Sequence, residues 1–83
     1  MIQLRLFARF REELGIESEQ LESDGLSCVE DLLQRLRERG GAWARLLAED
    51  QRVMMAVNQE LADRQTPLHE GDEIALFPPV TGG

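Results

Sequence analysis

The chain has 83 residues, 42% of them hydrophobic, with 16 acidic and 9 basic side chains and a formal net charge of −7. That length supports one modest core, because a domain this small buries only roughly 60% of its unfolded surface, and the apolar content argues against disorder; residues 1–83 are expected to form one domain. The charge disfavours nucleic acid and anionic membranes, both of which require a basic face, and no apolar run approaches the roughly 18 residues of a membrane helix.

The first element is a strand. Ile2, Leu4, Leu6 and Ala8 share one face and Gln3, Arg5 and Phe7 the other, the period of a half-buried strand, with Phe7 an aromatic on an otherwise polar face. A secretory leader would instead show a basic stretch and an unbroken apolar run, so a cytoplasmic protein is expected. Residues 9–14 predict a short helical turn stopped by Gly15, and residues 18–23, centred on Leu21, a short edge strand. Ser27-Cys28-Val29-Glu30 reads as a capping box, with Ser27 at the N-cap and Glu30 reaching back to it. It opens the main helix, in which Val29, Leu32, Leu33 and Leu36 make one apolar stripe. Arg35, Arg37 and Arg39 suit the negative end of its dipole, and Gly40-Gly41 stop it.

Ala42 to Ala48 predict a second, shorter helix in which Trp43, Leu46 and Leu47 are packing residues. Residues 52–57 predict a strand with Met54 and Met55 on opposite faces, Asn58-Gln59-Glu60 a turn, and Leu61-Ala62 the start of a short strand. Pro67 and Glu70-Gly71-Asp72 mark loop and turn. Residues 73–77 form the last strand, Ile74 and Leu76 facing one way and Ala75 and Phe77 the other. Strands and helices without a regular βαβ alternation argue for an α+β fold, with one main helix across a small mixed sheet of four to five strands.

Chemistry is excluded largely by subtraction. All nine basic residues are arginine, so there is no Schiff-base or P-loop lysine and no isopeptide bond to the chain's own side chains. One cysteine, Cys28, and one histidine, His69, leave no internal disulfide, no Cys-rich zinc site and no Cys-ligated iron–sulfur cluster. No active site of its own is expected, and a basic protein partner suits the charge. Cys28 follows the predicted N-cap and reads either as a thiol activated by a helix end or as a small core residue; His69 reads as a solvated turn residue.

The C-terminal segment carries a pattern. A di-proline, Pro78-Pro79, stops the last strand and directs a stiff segment outward; Val80, Thr81, Gly82 and Gly83 follow. From Pro79 to Gly83 the chain can span roughly 13 Å. Gly82 and Gly83 pass where any Cβ would not, and the carboxylate of Gly83 would become an electrophile once activated as a mixed anhydride. On composition alone the segment reads equally as an uninformative Gly-Gly terminus.

Leu68-His69-Glu70-Gly71-Asp72-Glu73-Ile74-Ala75-Leu76-Phe77-Pro78-Pro79-Val80-Thr81-Gly82-Gly83 resembles the C-terminal signature of the MoaD-type small subunits of molybdopterin synthase: a Gly-Asp-Glu turn, an apolar strand, Phe-Pro-Pro-Val, then Ser or Thr before Gly-Gly. The opening strand with Phe7, Arg11 and Glu12 and the segment Ala56-Val57-Asn58-Gln59 resemble that family too, whereas residues 16–26 show none of its motifs. The resemblance implies a β-grasp, or ubiquitin-like, fold whose first and last strands are parallel neighbours at the sheet centre, with residues 78–83 as a working tail. Parity then puts Phe7 and Phe77 on the face away from the helix, either as one interface patch or as two partly covered surface aromatics. Arg11 reads as an ion-pairing partner contact or as a solvated arginine.

The implied function is sulfur carriage in molybdenum cofactor biosynthesis. A partner resembling ubiquitin-activating enzymes would consume ATP to adenylate the Gly83 carboxylate, and a sulfur donor enzyme would convert the acyl-adenylate to a thiocarboxylate. The tail, with Phe7, Arg11, Phe77, Pro78, Pro79, Val80, Thr81 and Gly82 as partner-binding residues, would enter the large synthase subunit in a heterotetramer of two small and two large subunits. There it would donate sulfur to cyclic pyranopterin monophosphate. No bound cofactor or metal is implied for the carrier itself. The alternatives are a ThiS-like carrier for thiamine thiazole synthesis and a ubiquitin-like modifier of other proteins.

Overall fold

The computed structural model describes residues 1–79. Eight elements follow one another as β1 (Ile2–Leu6), α1 (Ala8–Leu14), β2 (Ser18–Leu21), α2 (Val29–Arg37), α3 (Gly41–Leu46), β3 (Met54–Val57), β4 (Glu60–Ala62) and β5 (Glu73–Phe77). The strands form one mixed sheet in the order β2-β1-β5-β3-β4. The last strand is therefore central, parallel to β1 through Leu4↔Ile74 and Leu6↔Leu76 and antiparallel to β3 through Met55↔Leu76. With α2 across one face, this is the β-grasp arrangement.

Alternation decides what the sheet buries. Ile2, Leu4, Leu6, Ile74 and Leu76 are at most 1% exposed and meet the helix stripe Val29, Leu32, Leu33 and Leu36, with Phe10, Leu46 and Leu47 closing the core. Met55 joins this face while Met54 is half-buried on the other. Trp43 lies half-buried against the core, with the Arg39 guanidinium 4.7 Å from its ring centroid.

Several boundaries move by a residue or two, each for a tertiary reason. β1 stops at Leu6, and Ala8 is exposed rather than on the core face: at a φ of 51° it turns the chain into α1. α1 ends as expected at Gly15, whose φ of 76° lets its N–H bond the Arg11 carbonyl. β3 begins at Met54 rather than Arg52. Met54 pairs with Phe77, and the Pro78 that follows has no N–H with which to extend the ladder. The turn after β3 is the two-residue Asn58-Gln59, both left-handed at φ 52° and 70°, and Glu60 already belongs to β4.

The main helix needs a fuller correction. Its N-cap is Cys28, not Ser27, and the carboxylate reaching back is that of Asp31, not Glu30. Asp31 Oδ2 accepts the Ser27 and Cys28 N–H groups at 2.9 and 3.3 Å. The shift follows from pairing with the segment ahead of β5. Leu68 N donates to Ser27 O, Cys28 bridges Pro67, and the Val29 and Glu30 N–H groups donate to Thr66 O and Arg64 O at 2.9 Å each. Two donors orphaned at the helix start thus find partners outside the helix, and Cys28 stays extended.

Candidate functional site

β5 runs up the middle of the sheet and releases the chain at Phe77, with Pro78 and Pro79 half-buried beyond it. Val80, Thr81, Gly82 and Gly83, the remainder of the expected tail, lie outside the described residues. The start of β5 is anchored firmly. Asp72 accepts hydrogen bonds from Asn58 Nδ2 at 3.0 Å and from the His69 N–H at 2.8 Å, and Asn58 Oδ1 accepts the Glu73 N–H at 3.0 Å. The Asn58 bond holds the Asp72 carboxyl below the usual carboxylate range; partial burial opposes this and the His69 N–H adds to it. The β3–β4 turn is thereby tied to the foot of the strand that carries the tail.

Phe7 and Phe77 come to the same end of the sheet. The Phe7 N–H bonds the Leu76 carbonyl at 3.2 Å, and the Phe7 carbonyl accepts the Phe10 N–H at 3.1 Å. Continuing the Leu6↔Leu76 register by one residue sets Phe7 alongside Phe77, whose other neighbour is Met54. Phe7 is 41% exposed and Phe77 half-buried; both lie on the face that α2 leaves open. Arg5 covers the patch from its side, 5.8 Å from the Phe7 ring centroid and 3.4 Å from Glu73 Oε2.

One residue of this face was missed by sequence reasoning. Leu61 is 75% exposed, the largest exposure among the bulky apolar side chains of the described residues. It pairs with Ala56, which pairs with Ala75, so Leu61, Ala56 and Ala75 form a row across the open face beside the Phe77–Met54 row. The signal was present in the sequence: Leu61 stands next to Ala62, whose inward neighbour is Met55, and strand parity sends it outward.

Arg11 is exposed on α1, the helix that follows Phe7 and touches both β5 and α3. Its neighbours Arg9 and Arg45 both pair with Glu13, and Arg11 has no ion pair among the described residues. Cys28 is half-buried. His69 is exposed, its Nδ1 3.8 Å from Asp72. Shallow grooves on the helix side are lined by charged residues such as Glu30, Arg37, Glu49 and Arg64, and the Glu30 carboxylate there is already engaged by Arg37 and Arg64. Among the described residues no three His, Cys, Asp or Glu side chains converge as a metal site, and no helix is long and apolar enough to cross a membrane. What the arrangement offers is a hydrogen-bonded, partly apolar sheet face next to the Pro78-Pro79 exit of β5.

Residues 4–83 match the ThiS family. The chain is 42% identical to the molybdopterin synthase sulfur carrier subunit of Escherichia coli (strain K12) over 83 residues, all of both chains. Among solved structures, SAMP1 from Haloferax volcanii is similar with a TM-score of 0.78 at 32% identity, over 99% of this chain and 98% of that one. A chain of the complex of subunits 1 and 2 of the molybdopterin-converting factor from Helicobacter pylori 26695 is similar with a TM-score of 0.68 at 28% identity, over 99% and 97%.

Proposed function

This chain belongs to the ThiS family, and we propose on that basis that it is the sulfur carrier subunit of a molybdopterin synthase. The observation that carries the reading is the coupling of the central strand to the sequence Phe77-Pro78-Pro79-Val80-Thr81-Gly82-Gly83. β5 is held on both edges by β1 and β3, so a partner that grips the open sheet face also holds the strand to which the terminal sequence is joined. Full-length identity to a carrier subunit supports the same reading.

In this proposal the Gly83 carboxylate is adenylated with ATP by a partner resembling ubiquitin-activating enzymes. The phosphoanhydride supplies the leaving group that a carboxylate lacks, and a sulfur donor enzyme then displaces AMP to leave a thiocarboxylate. That terminal sulfur is the nucleophile presented to cyclic pyranopterin monophosphate. The large synthase subunit receives the tail, with Phe7, Phe77 and Leu61 as its apolar contacts on the sheet face and Arg11 at the margin. The two-subunit complex from H. pylori supports a partner of this kind.

The test is the intact mass of the protein after incubation with ATP, an activating enzyme and a sulfur donor, located by fragmentation. Exchange of one oxygen for sulfur confined to Gly83 is the expected result. An unmodified terminus, with another carrier converted in parallel, would overturn the reading. A protein modifier is the second reading, favoured by the likeness to SAMP1, a small archaeal modifier protein; amide linkage of Gly83 to target lysines in cells would establish it.

A further inference from the structure

The two edges of the sheet differ in the backbone groups they leave free. β4 is three residues long, and the two-residue turn closing on Val57↔Glu60 leaves only the Leu61 backbone groups directed away from β3. β2 pairs with β1 alone, and no strand lies along its outer edge among the described residues. The register fixes which of its groups point outward. The Leu6 N–H donates to Glu17 O at 3.0 Å, one step beyond the Arg5↔Ser18 pair. Bonded and non-bonded pairs alternate in an antiparallel ladder, so Glu17, Glu19 and Leu21 bond β1, while Ser18 and Gln20 turn their N–H and C=O groups away from it. Gln3 agrees with this phase: it lies opposite Gln20, and its own N–H goes the other way, to Asp72 O at 2.9 Å. No other described segment takes up the Ser18 and Gln20 backbone groups. The Glu22 carbonyl is occupied by Arg35 at 3.1 Å, so the open edge ends at Leu21.

The charge beside this edge is acidic. Residues 12–34 contain no arginine and no lysine. Glu17 and Glu22, at either end of β2, are exposed and have no ion pair among the described residues, whereas Glu19 is paired with Arg39. Arg35 also holds the Asp24 carbonyl at 2.7 Å. Setting Arg35 and Arg39 against Glu17, Glu19, Glu22 and Asp24 leaves an excess of two negative charges. Like charge on a free edge opposes pairing with a second copy. A chain of opposite charge meets no such barrier and is drawn in.

We propose that the outer edge of β2 is a docking site for an extended basic segment of a partner protein, added as a sixth strand to the five-stranded sheet. The Ser18 and Gln20 N–H groups donate to that segment and their carbonyls accept from it, which is the main-chain recognition of strand addition. Glu17 and Glu22 favour lysine or arginine at its two ends. β1 lies between β2 and β5, so the added strand leaves the Phe77–Met54 row of the open face uncovered. The inference goes beyond sulfur carriage and does not depend on the reading of Gly83.

The probe is an end-blocked hexapeptide of alternating arginine and valine, titrated into the isotope-labelled full chain and followed by amide NMR shifts and hydrogen exchange. Two counterparts accompany it: one with glutamate for arginine, and one with the basic sequence N-methylated at every residue, which keeps the charge and removes the donors. Shifts and slowed exchange are expected to concentrate at Ser18 and Gln20. Both counterparts should bind at least about tenfold more weakly, the loss of two net hydrogen bonds or of the charge attraction. Gln20→Pro should weaken the parent peptide equally, because it removes an outward N–H and none of the bonds to β1; if that variant does not fold, the peptide comparison on wild type still decides. Glu17→Gln combined with Glu22→Gln should cost about fivefold. Equal binding of the N-methylated peptide would reduce the contact to diffuse charge attraction and overturn the proposal. Shifts centred on Phe77 and Met54, or none at about 1 mM peptide, would overturn it too. So would concentration-dependent shifts at Ser18 and Gln20 without peptide, which would give the edge to a second copy.

Discussion

Glu30 sits where three segments meet. Its carboxylate accepts Arg37 Nη2 at 2.6 Å and Arg64 Nη1 at 2.8 Å, and Arg37 donates its other terminal nitrogen to Leu47 O at 3.2 Å. One side chain thus ties α2 to the loop after β4 and to the end of α3. Partial burial pushes the Glu30 carboxyl up, but the hydrogen bonds and charges of the two guanidiniums together outweigh it and hold the group below its ordinary value of 4.5. Glu19 is lowered in the same way, chiefly by its hydrogen bond from Arg39. A carboxylate whose folded pKa is depressed contributes stability that is present in full above the unfolded value and is lost as pH falls through the folded one. Unfolding free energy is therefore expected to decline as the pH drops below about 4.5. Glu30→Gln should cost about 1–2 kcal/mol at neutral pH, since it weakens two charge-assisted hydrogen bonds, and its deficit against wild type should close in acid. Denaturant titrations at several pH values check this; a deficit independent of pH would show that the charge of Glu30 contributes nothing.

At the scale of an element, α2 separates a local rule from its tertiary setting. A serine three residues ahead of a glutamate is a fair capping signal, and Ser27-Cys28-Val29-Glu30 carries it. Cys28-Val29-Glu30-Asp31 lies one residue along with a weaker N-cap, and it is the one used, because Cys28 is held extended in a bridge to Pro67 while the Ser27 carbonyl and the Val29 and Glu30 N–H groups bond residues 64–68. Asp31→Ala should then cost about 1 kcal/mol by removing the acceptor for two N–H groups. Ser27→Ala should stay within about 0.5 kcal/mol of wild type, as substitutions away from such features do. Urea midpoints of the two variants decide between the assignments; the reverse order would restore Ser27 as the cap. The apolar stripe of the same helix needed no such correction, because Val29, Leu32, Leu33 and Leu36 follow from the helical period alone and are all fully buried.

At the scale of the molecule, one face of the sheet is covered by helices and the other carries Phe7, Phe77, Met54 and Leu61 between small residues. Exposed apolar side chains at the centre of such a face are where binding energy concentrates. Phe7→Asp and Leu61→Asp are expected to leave the unfolding midpoint close to wild type, since neither side chain enters the core. Each should weaken binding to a large synthase subunit at least about tenfold, equivalent to about 1.4 kcal/mol. Calorimetric titration against the large subunit measures this, and unchanged affinity in both would remove the sheet face from the interface.

The opening and closing strands, the parity that buries Leu4 and Ile74 while leaving Phe7 and Phe77 outside, the stripe of α2 and the signature from Gly71 to Gly83 were all legible in the residues themselves. So was the complete replacement of lysine by arginine. Each is a local pattern, because strand and helix periods and the chemistry of a side chain are set within a few residues. The parallel pairing of β1 with β5 followed from the family resemblance, whereas the pairing of β5 with β3, the one-residue shift of the α2 cap, the tie from Asn58 to Asp72, and the arrival of Leu61 beside Ala56 and Ala75 were decided by the tertiary structure. Those features depend on which distant segments pair and in what register. That choice is made by burial of the whole apolar set and by satisfying backbone N–H groups between segments as many as 70 residues apart, and it leaves no periodic trace in any one segment.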